Sequence, residues 1–233
     1  MRMSSFIRRM LLAGALGAVL PLYAEEIRFS ADSMTGVAGT KSDTTTLAGN
    51  AFVSSGSLEI HADSITLSGD DFRYINAEGN IDITDSERGM EFTCSSLEFD
   101  RETNIVFLEN EVRITDAKNG ITAEAQAVEY SQNAETVIMQ IAVNLKQKNN
   151  ICTGAYAMYH KKSQILELNG NPQVIQDEDT FKAQQITLNL DTQEITLTGN
   201  VNGSVTTTKK DEAAGTADES RTADEGGKPN GRD

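Results

Sequence analysis

The sequence predicts an all-β chain, and more narrowly an elongated, open, twisted antiparallel β-jellyroll: two facing leaves of creased strands built from about six repeats of roughly thirty residues. Three observations predict it. Apolar and polar residues alternate over short runs, as with Ile75 and Ala77 before Gly79 and Ile81 and Ile83 after Asn80, which is the pattern of a strand with one buried face. A small residue and a polar pivot both recur at a near-constant step, a period that belongs to repeat architectures. No stretch of the body carries helical periodicity.

The chain divides into three parts. Arg2, Arg8 and Arg9 precede an apolar run from Met10 to Leu22 that closes on Leu22-Tyr23-Ala24, the pattern of a cleaved secretory signal peptide, so residues 1–24 are set aside from the fold. The run is short for a membrane span, which takes about 20 apolar residues. Residues 209–233 hold no Val, Ile, Leu or aromatic residue and cannot bury enough apolar area to offset ordering, so a disordered polar tail is expected. The body, 25–208, is the size of one domain.

Five segments of the body share an alternating pattern around a small residue and a sixth keeps most of it; the small residues are Ala31, Ala62, Cys94, Ala125, Ala155 and Ala183. Six pivots advance in step: Gly49-Asn50, Gly79-Asn80, Asn110-Glu111, Ile141-Ala142, Gly170-Asn171 and Gly199-Asn200. The alternation slips at each pivot, and again between the small residue and the next apolar one, as from Ala62 to Ile65. A slip of one residue turns every later side chain to the wrong face unless the backbone bends there, and Gly and Asn supply the permissive dihedrals. Both breaks are therefore read as corners. Polar stretches such as 68–71, 85–89, 100–104 and 117–120 are read as hairpin connections.

Of the 20 basic and 35 acidic residues, 12 and 28 fall in the body. So acidic a body is repelled by phosphate backbones, which argues against nucleic-acid partners. Cys94 falls in an inward slot and Cys152, following the inward Ile151, is expected to face outward, so two free thiols are expected rather than a disulfide.

The pairing of Ala31-Asp32 and Ala62-Asp63-Ser64-Ile65 with Gly79-Asn80-Ile81 and Gly199-Asn200-Val201 resembles the OstA/LptA family of periplasmic lipopolysaccharide-transport proteins. The resemblance covers nearly all of 25–205, with Asn110-Glu111, Ile141-Ala142 and Pro172 as departures. It implies a twisted jellyroll open at both ends. It also implies a periplasmic location, carriage of lipopolysaccharide or an analogous glycolipid between inner- and outer-membrane complexes, like-folded partner domains docked by strand addition, and head-to-tail self-association.

An acyl chain in water costs about 0.8 kcal/mol per CH₂, so its carrier needs a continuous apolar lining. The expected lining is Ile60, Ala62, Ile65, Leu67, Ile81, Ile83, Phe92, Cys94, Leu97, Phe99, Leu108, Val112 and Ile114, with a channel between the leaves and with Phe92 and Phe99 bulky enough to gate an opening. The unpaired edges, with Ile27, Phe29 and Ala31 at one end and Val201 and Val205 at the other, are the expected assembly surfaces.

No enzyme is expected, and neither cofactor nor metal. His61 and His160 lack partners at ligand spacing, His61 is expected to face solvent, and no phosphate-binding loop occurs. Two alternatives stand beside the carrier: a membrane-anchored relay subunit of the same fold, and an extracellular parallel β-helix that binds polysaccharide or acts as an adhesin.

Overall fold

The computed structural model describes residues 26–36 and 44–206. The expected leader and tail lie outside the described residues. Among the latter, sixteen strands form one sheet, and every pairing in it is antiparallel. The parallel β-helix alternative is overturned by that direction of pairing.

Eight long strands make the centre: β3 (Thr45–Ser55), β4 (Leu58–Ser68), β5 (Tyr74–Asp85), β6 (Met90–Asp100), β7 (Ile105–Asp116), β8 (Ile121–Ser131), β9 (Thr136–Gln147) and β10 (Asn150–His160). Each pairs with the next through a hairpin. The pairing register shifts midway along each, as between Glu78 and Ile81 against β6. At the two ends the corners become complete breaks. β1 (Ile27–Ser30) and β2 (Ser33–Thr35) pair with opposite halves of β3. After β10, β11 (Ile165–Asn169) and β12 (Gln173–Gln176) pair with its two halves, separated by Gly170-Asn171-Pro172. β12 continues to β13 (Asp179–Lys182) and β16 (Asn202–Ser204), while β11 continues to β14 (Gln185–Asn189) and β15 (Ile195–Thr198). Pro172, which donates no ladder hydrogen bond, sits in the break rather than in a strand.

Two leaves follow from this pairing. The first holds β1, β12, β13, β16 and the halves of the long strands nearest the hairpins at 55–58, 85–90, 116–121 and 147–150. The second holds β2, β11, β14, β15 and the other halves. Among the described residues the sheet does not close, since β1 and β2 at one end and β15 and β16 at the other have no partner strand on their outer sides.

The crease has a clear local cause. Both pivot residues take the left-handed backbone in all six units: φ is 74° and 42° at Gly79 and Asn80, and 65° and 55° at Ile141 and Ala142. Asn80 Nδ2 donates to Asp63 Oδ2 at 2.8 Å, and Asn50 repeats the bond to Asp32 at 2.8 Å. This contact joins the Ala-Asp and Gly-Asn motifs into one structural unit, with Asp as acceptor for the pivot Asn. A Cβ on Gly79 would lie 2.5 Å from Asp63 Oδ2, so the pivot needs glycine for space as well as for φ.

The fifth unit corrects the sequence reading. Cys152 is fully buried and Ile151 is 38% exposed, the reverse of the expectation. Alignment on Ala155 places this unit one residue out of step, because Gly154 takes the slot that Ala62 holds and Ala155 takes the slot of Asp63. Gly154 is fixed there by crowding, since a Cβ would meet Asn169 O at 2.9 Å. Both cysteines are free thiols. They face inward on β6 and β10, four strands apart, which at about 4.8 Å per strand is far beyond disulfide reach along the sheet.

Candidate functional site

The thirteen expected lining residues all face the space between the leaves and form one continuous apolar cluster with the rest of the core. Their exposures run from 0% to 7%, with the highest values in the small-residue row at Ala62 and Cys94. The sheet is open, but its inner space is filled. The leaves touch: the rings of Phe92 on the first and Tyr130 on the second lie 4.9 Å apart between centroids. The vacant channel expected from the sequence is therefore absent from this conformation, because the side chains from the two faces interdigitate. Phe92 and Phe99 lie inside the stack, each 2% exposed, and not at an opening. Burial and hydrogen bonding by Ser96 act in opposite directions on the Cys94 thiol, and burial prevails to push it up to about 11. Burial pushes Cys152 up to about 12.

Along the side opposite the crease, the rims of the two leaves meet through side chains. Of the nine buried polar or charged side chains among the described residues, seven lie there: Ser55, Asp85, Asp116, Gln132, Gln147, Asn150 and Lys161. They form a ladder of contacts. Arg101 Nε donates to Ser55 Oγ at 2.9 Å. Asp85 Oδ2 accepts from Tyr130 OH at 2.8 Å and from Gln132 Nε2 at 3.0 Å, and Arg88 Nε donates across the gap to Gln132 O at 2.9 Å. Asp116 Oδ2 accepts from Tyr159 OH at 3.1 Å and from the Lys161 ammonium. Gln147 Nε2 donates to Leu190 O at 2.9 Å. Sequence separations of the rungs are 46, 47, 45 and 43, so each ties a strand end to the far leaf about one and a half repeats later.

Burial raises the Asp85 carboxyl, but hydrogen bonds from Gln132, Tyr130 and Ser57 outweigh it and hold it below the ordinary carboxylate range. Burial and the Asp85 carboxylate together push the Tyr130 phenol well above its usual value. The Asp85 rung is therefore a charged carboxylate receiving neutral donors, with Arg88 alongside at 3.4 Å.

The sequence reading missed this ladder, taking the polar stretches 85–89 and 117–120 only as hairpin connections. The signal was present: Asp85 and Asp116 stand two residues beyond Ile83 and Ile114, at the next inward step of the alternation. His61 is exposed, as expected, and packs against Phe52 with ring centroids 4.8 Å apart. At the edges, Phe29 is 45%, Val201 57% and Val205 64% exposed, whereas Ile27 and Ala31 are partly buried against the core. Val201 lies between β15 and β16 and Val205 just beyond β16. Surface hollows at mid-sheet are lined by charged groups such as Arg113, Glu124 and Lys146, and not mainly by the inner apolar set.

No curated protein matches the chain. Among solved structures, it is similar to the crystal structure of LptH from Pseudomonas aeruginosa, described as the LptA homologous periplasmic component of the conserved lipopolysaccharide transport device. Identity is 12%, the match covers 78% of this chain and 96% of that one, and the TM-score is 0.24, too low to transfer any residue. The family profile described as LptA/(LptD N-terminal domain) LPS transport protein matches residues 30–165. That span is more than half of the chain, its repeats and creased antiparallel sheet are those laid out above, and the chain belongs to the LptA/LptD N-terminal-domain family of LPS transport proteins.

Proposed function

We propose that the protein carries lipopolysaccharide, or a glycolipid of the same build, across the periplasm by holding its acyl chains between the two leaves. The carrying observation is the inner face. A single apolar cluster runs from Leu47 on β3 to Leu188 on β14 without interruption, in a sheet whose two ends stay unpaired. Along one side nothing but side-chain contacts joins the leaves. An acyl chain placed there exchanges water for hydrocarbon along its length, at about 0.8 kcal/mol per CH₂. Since the inner side chains now fill that space, loading requires the leaves to move apart.

The β1 and β2 edge, with Ile27 and Phe29 on β1 and Ala31 between the two strands, and the β15 and β16 edge, with Val201 and Val205 flanking β16, offer unpaired strands to like-folded partner domains or to another copy. Such additions extend the lined interior from one membrane toward the other. In this reading residues 1–24 direct export and are removed, 25–208 are the carrier domain, and 209–233 are a solvated tail.

The test is photo-crosslinking from Phe92 or Phe99 in living cells, followed by mass analysis of the adduct. A lipid adduct at both positions is the expected result. Protein adducts alone, or none, across these and several other inward positions contradict the proposal.

A further inference from the structure

The polar ladder is an unusual way to finish an apolar interior. On β5 the inward series runs Ile81, Ile83, Asp85; on β7 it runs Val112, Ile114, Asp116; on β9 it runs Val143, Leu145, Gln147. Three times, at a step of 31 residues, the series ends in a buried polar group at the rim. Replacing a buried ion pair by packed apolar residues is commonly neutral or stabilising, so stability alone does not call for these groups. Their particular property is that they lose little when exposed. A parted apolar rim meets water at full hydrophobic cost, whereas a parted Asp116 and Lys161 recover hydration that burial had taken from them.

We propose that this seam is the side port of the carrier: acyl chains pass between the rims into the interior when the Asp85 and Asp116 rungs part, and the rungs close again behind them. The proposal rests on the reading that acyl chains lie between the leaves. Three features support it. The crease side is continuous backbone with a hydrogen-bonded pivot, so only the seam side can separate without breaking strands. The contacts of the seam are side-chain contacts between hairpin rims, with no backbone ladder across it. Along the rim of the first leaf the polar ends Asp85, Asp116 and Gln147 alternate with the buried Leu58, Met90 and Ile121, so a parted seam presents water with a polar group between successive apolar ones.

Cross-linking across the seam tests this directly. Ser57 Oγ and Gln132 Nε2 both bond the Asp85 carboxylate, so Ser57→Cys with Gln132→Cys brings two thiols within the span of a short bismaleimide. Asn119 and Gln164 both donate to Tyr159 OH, and Asn119→Cys with Gln164→Cys provides a second lock one rung along, should the first variant fold poorly. The native Cys94 and Cys152 are buried and stay unlabelled in the folded protein. The probe is phosphatidylcholine vesicles containing lipid A, and the control is the same variant capped with a monofunctional maleimide.

The locked protein is expected to take up lipid A at least about ten-fold more slowly than the capped control, and protein locked after loading is expected to retain its lipid. Equal uptake by locked and capped protein overturns the port and leaves acyl binding intact, with lipid reaching the interior from an end. Lipid A binding by neither form overturns the carrier reading and the port with it.

Discussion

The two long sides of the folded sheet are built on opposite principles. On the crease side the leaves are one backbone, bent by paired left-handed residues and held at two units by Asp32 to Asn50 and Asp63 to Asn80. On the seam side the leaves are joined by buried carboxylates, amides and an ammonium reaching across from hairpin rims. A hinge and a closure are thus distinguishable from the physics alone. Bending at the crease leaves backbone ladders intact, while parting the seam breaks side-chain contacts that water can replace.

The largest effect is expected at the seam. Asp116→Ala leaves the Lys161 ammonium buried without its partner, and a loss of about 3–5 kcal/mol in urea unfolding is expected. Replacing both, Asp116→Leu with Lys161→Leu, is expected to restore most of that stability, because two apolar side chains pack where a lone charge cannot. A single variant as stable as the parent contradicts the buried rung.

The crease gives the next effect. Gly79→Ala adds a Cβ in left-handed backbone against Asp63, and a loss of about 2 kcal/mol is expected. Gly89→Ala, at φ 62° with nothing near its Cβ, isolates the backbone part and is expected to lose about 1 kcal/mol. The comparison within the crease sharpens at its fourth pivot. Ile141 holds φ 65° while 61% exposed, a conformation that a β-branched residue resists, so Ile141→Gly is expected to gain about 1 kcal/mol. Thermal or urea denaturation reads all three.

The smallest effect is the pH dependence of the Asp85 rung, where Ser57, Arg88, Tyr130 and Gln132 surround the carboxylate. Its folded value lies below the unfolded 3.8, so its stabilisation is complete above the unfolded value and is lost as pH falls through the folded one. Asp85→Asn is expected to reduce the loss of stability on acidification below about pH 4, and an unchanged acid limb contradicts the assignment.

The crease was legible in the sequence and the seam was not, for physical reasons. A pivot must satisfy local backbone geometry, so Gly79-Asn80 and its relatives announce themselves at a fixed step. Even Ile141-Ala142, without Gly or Asn, is found by its place in the series. A rung joins residues 43–47 apart with no local constraint, and Asp85 next to Ser86 and Glu87 reads as an ordinary hairpin. The error at Cys152 has the same root as the successes. Aligning the fifth unit on Ala155 in place of Gly154 shifts it by one residue, and with a period of two that turns every assignment in the half-strand to the wrong face.

Spin-label distances test the central claim, that hydrocarbon lies between the leaves, most directly. Labels at the exposed Glu87 and Asn133 report across the seam, and labels at Thr84 and Thr122 report within the first leaf. Because the inner space is full, adding lipid A is expected to lengthen the Glu87 to Asn133 distance while the Thr84 to Thr122 distance stays fixed. Stoichiometric lipid binding with both distances unchanged contradicts the claim, since no acyl chain can then have come between the leaves.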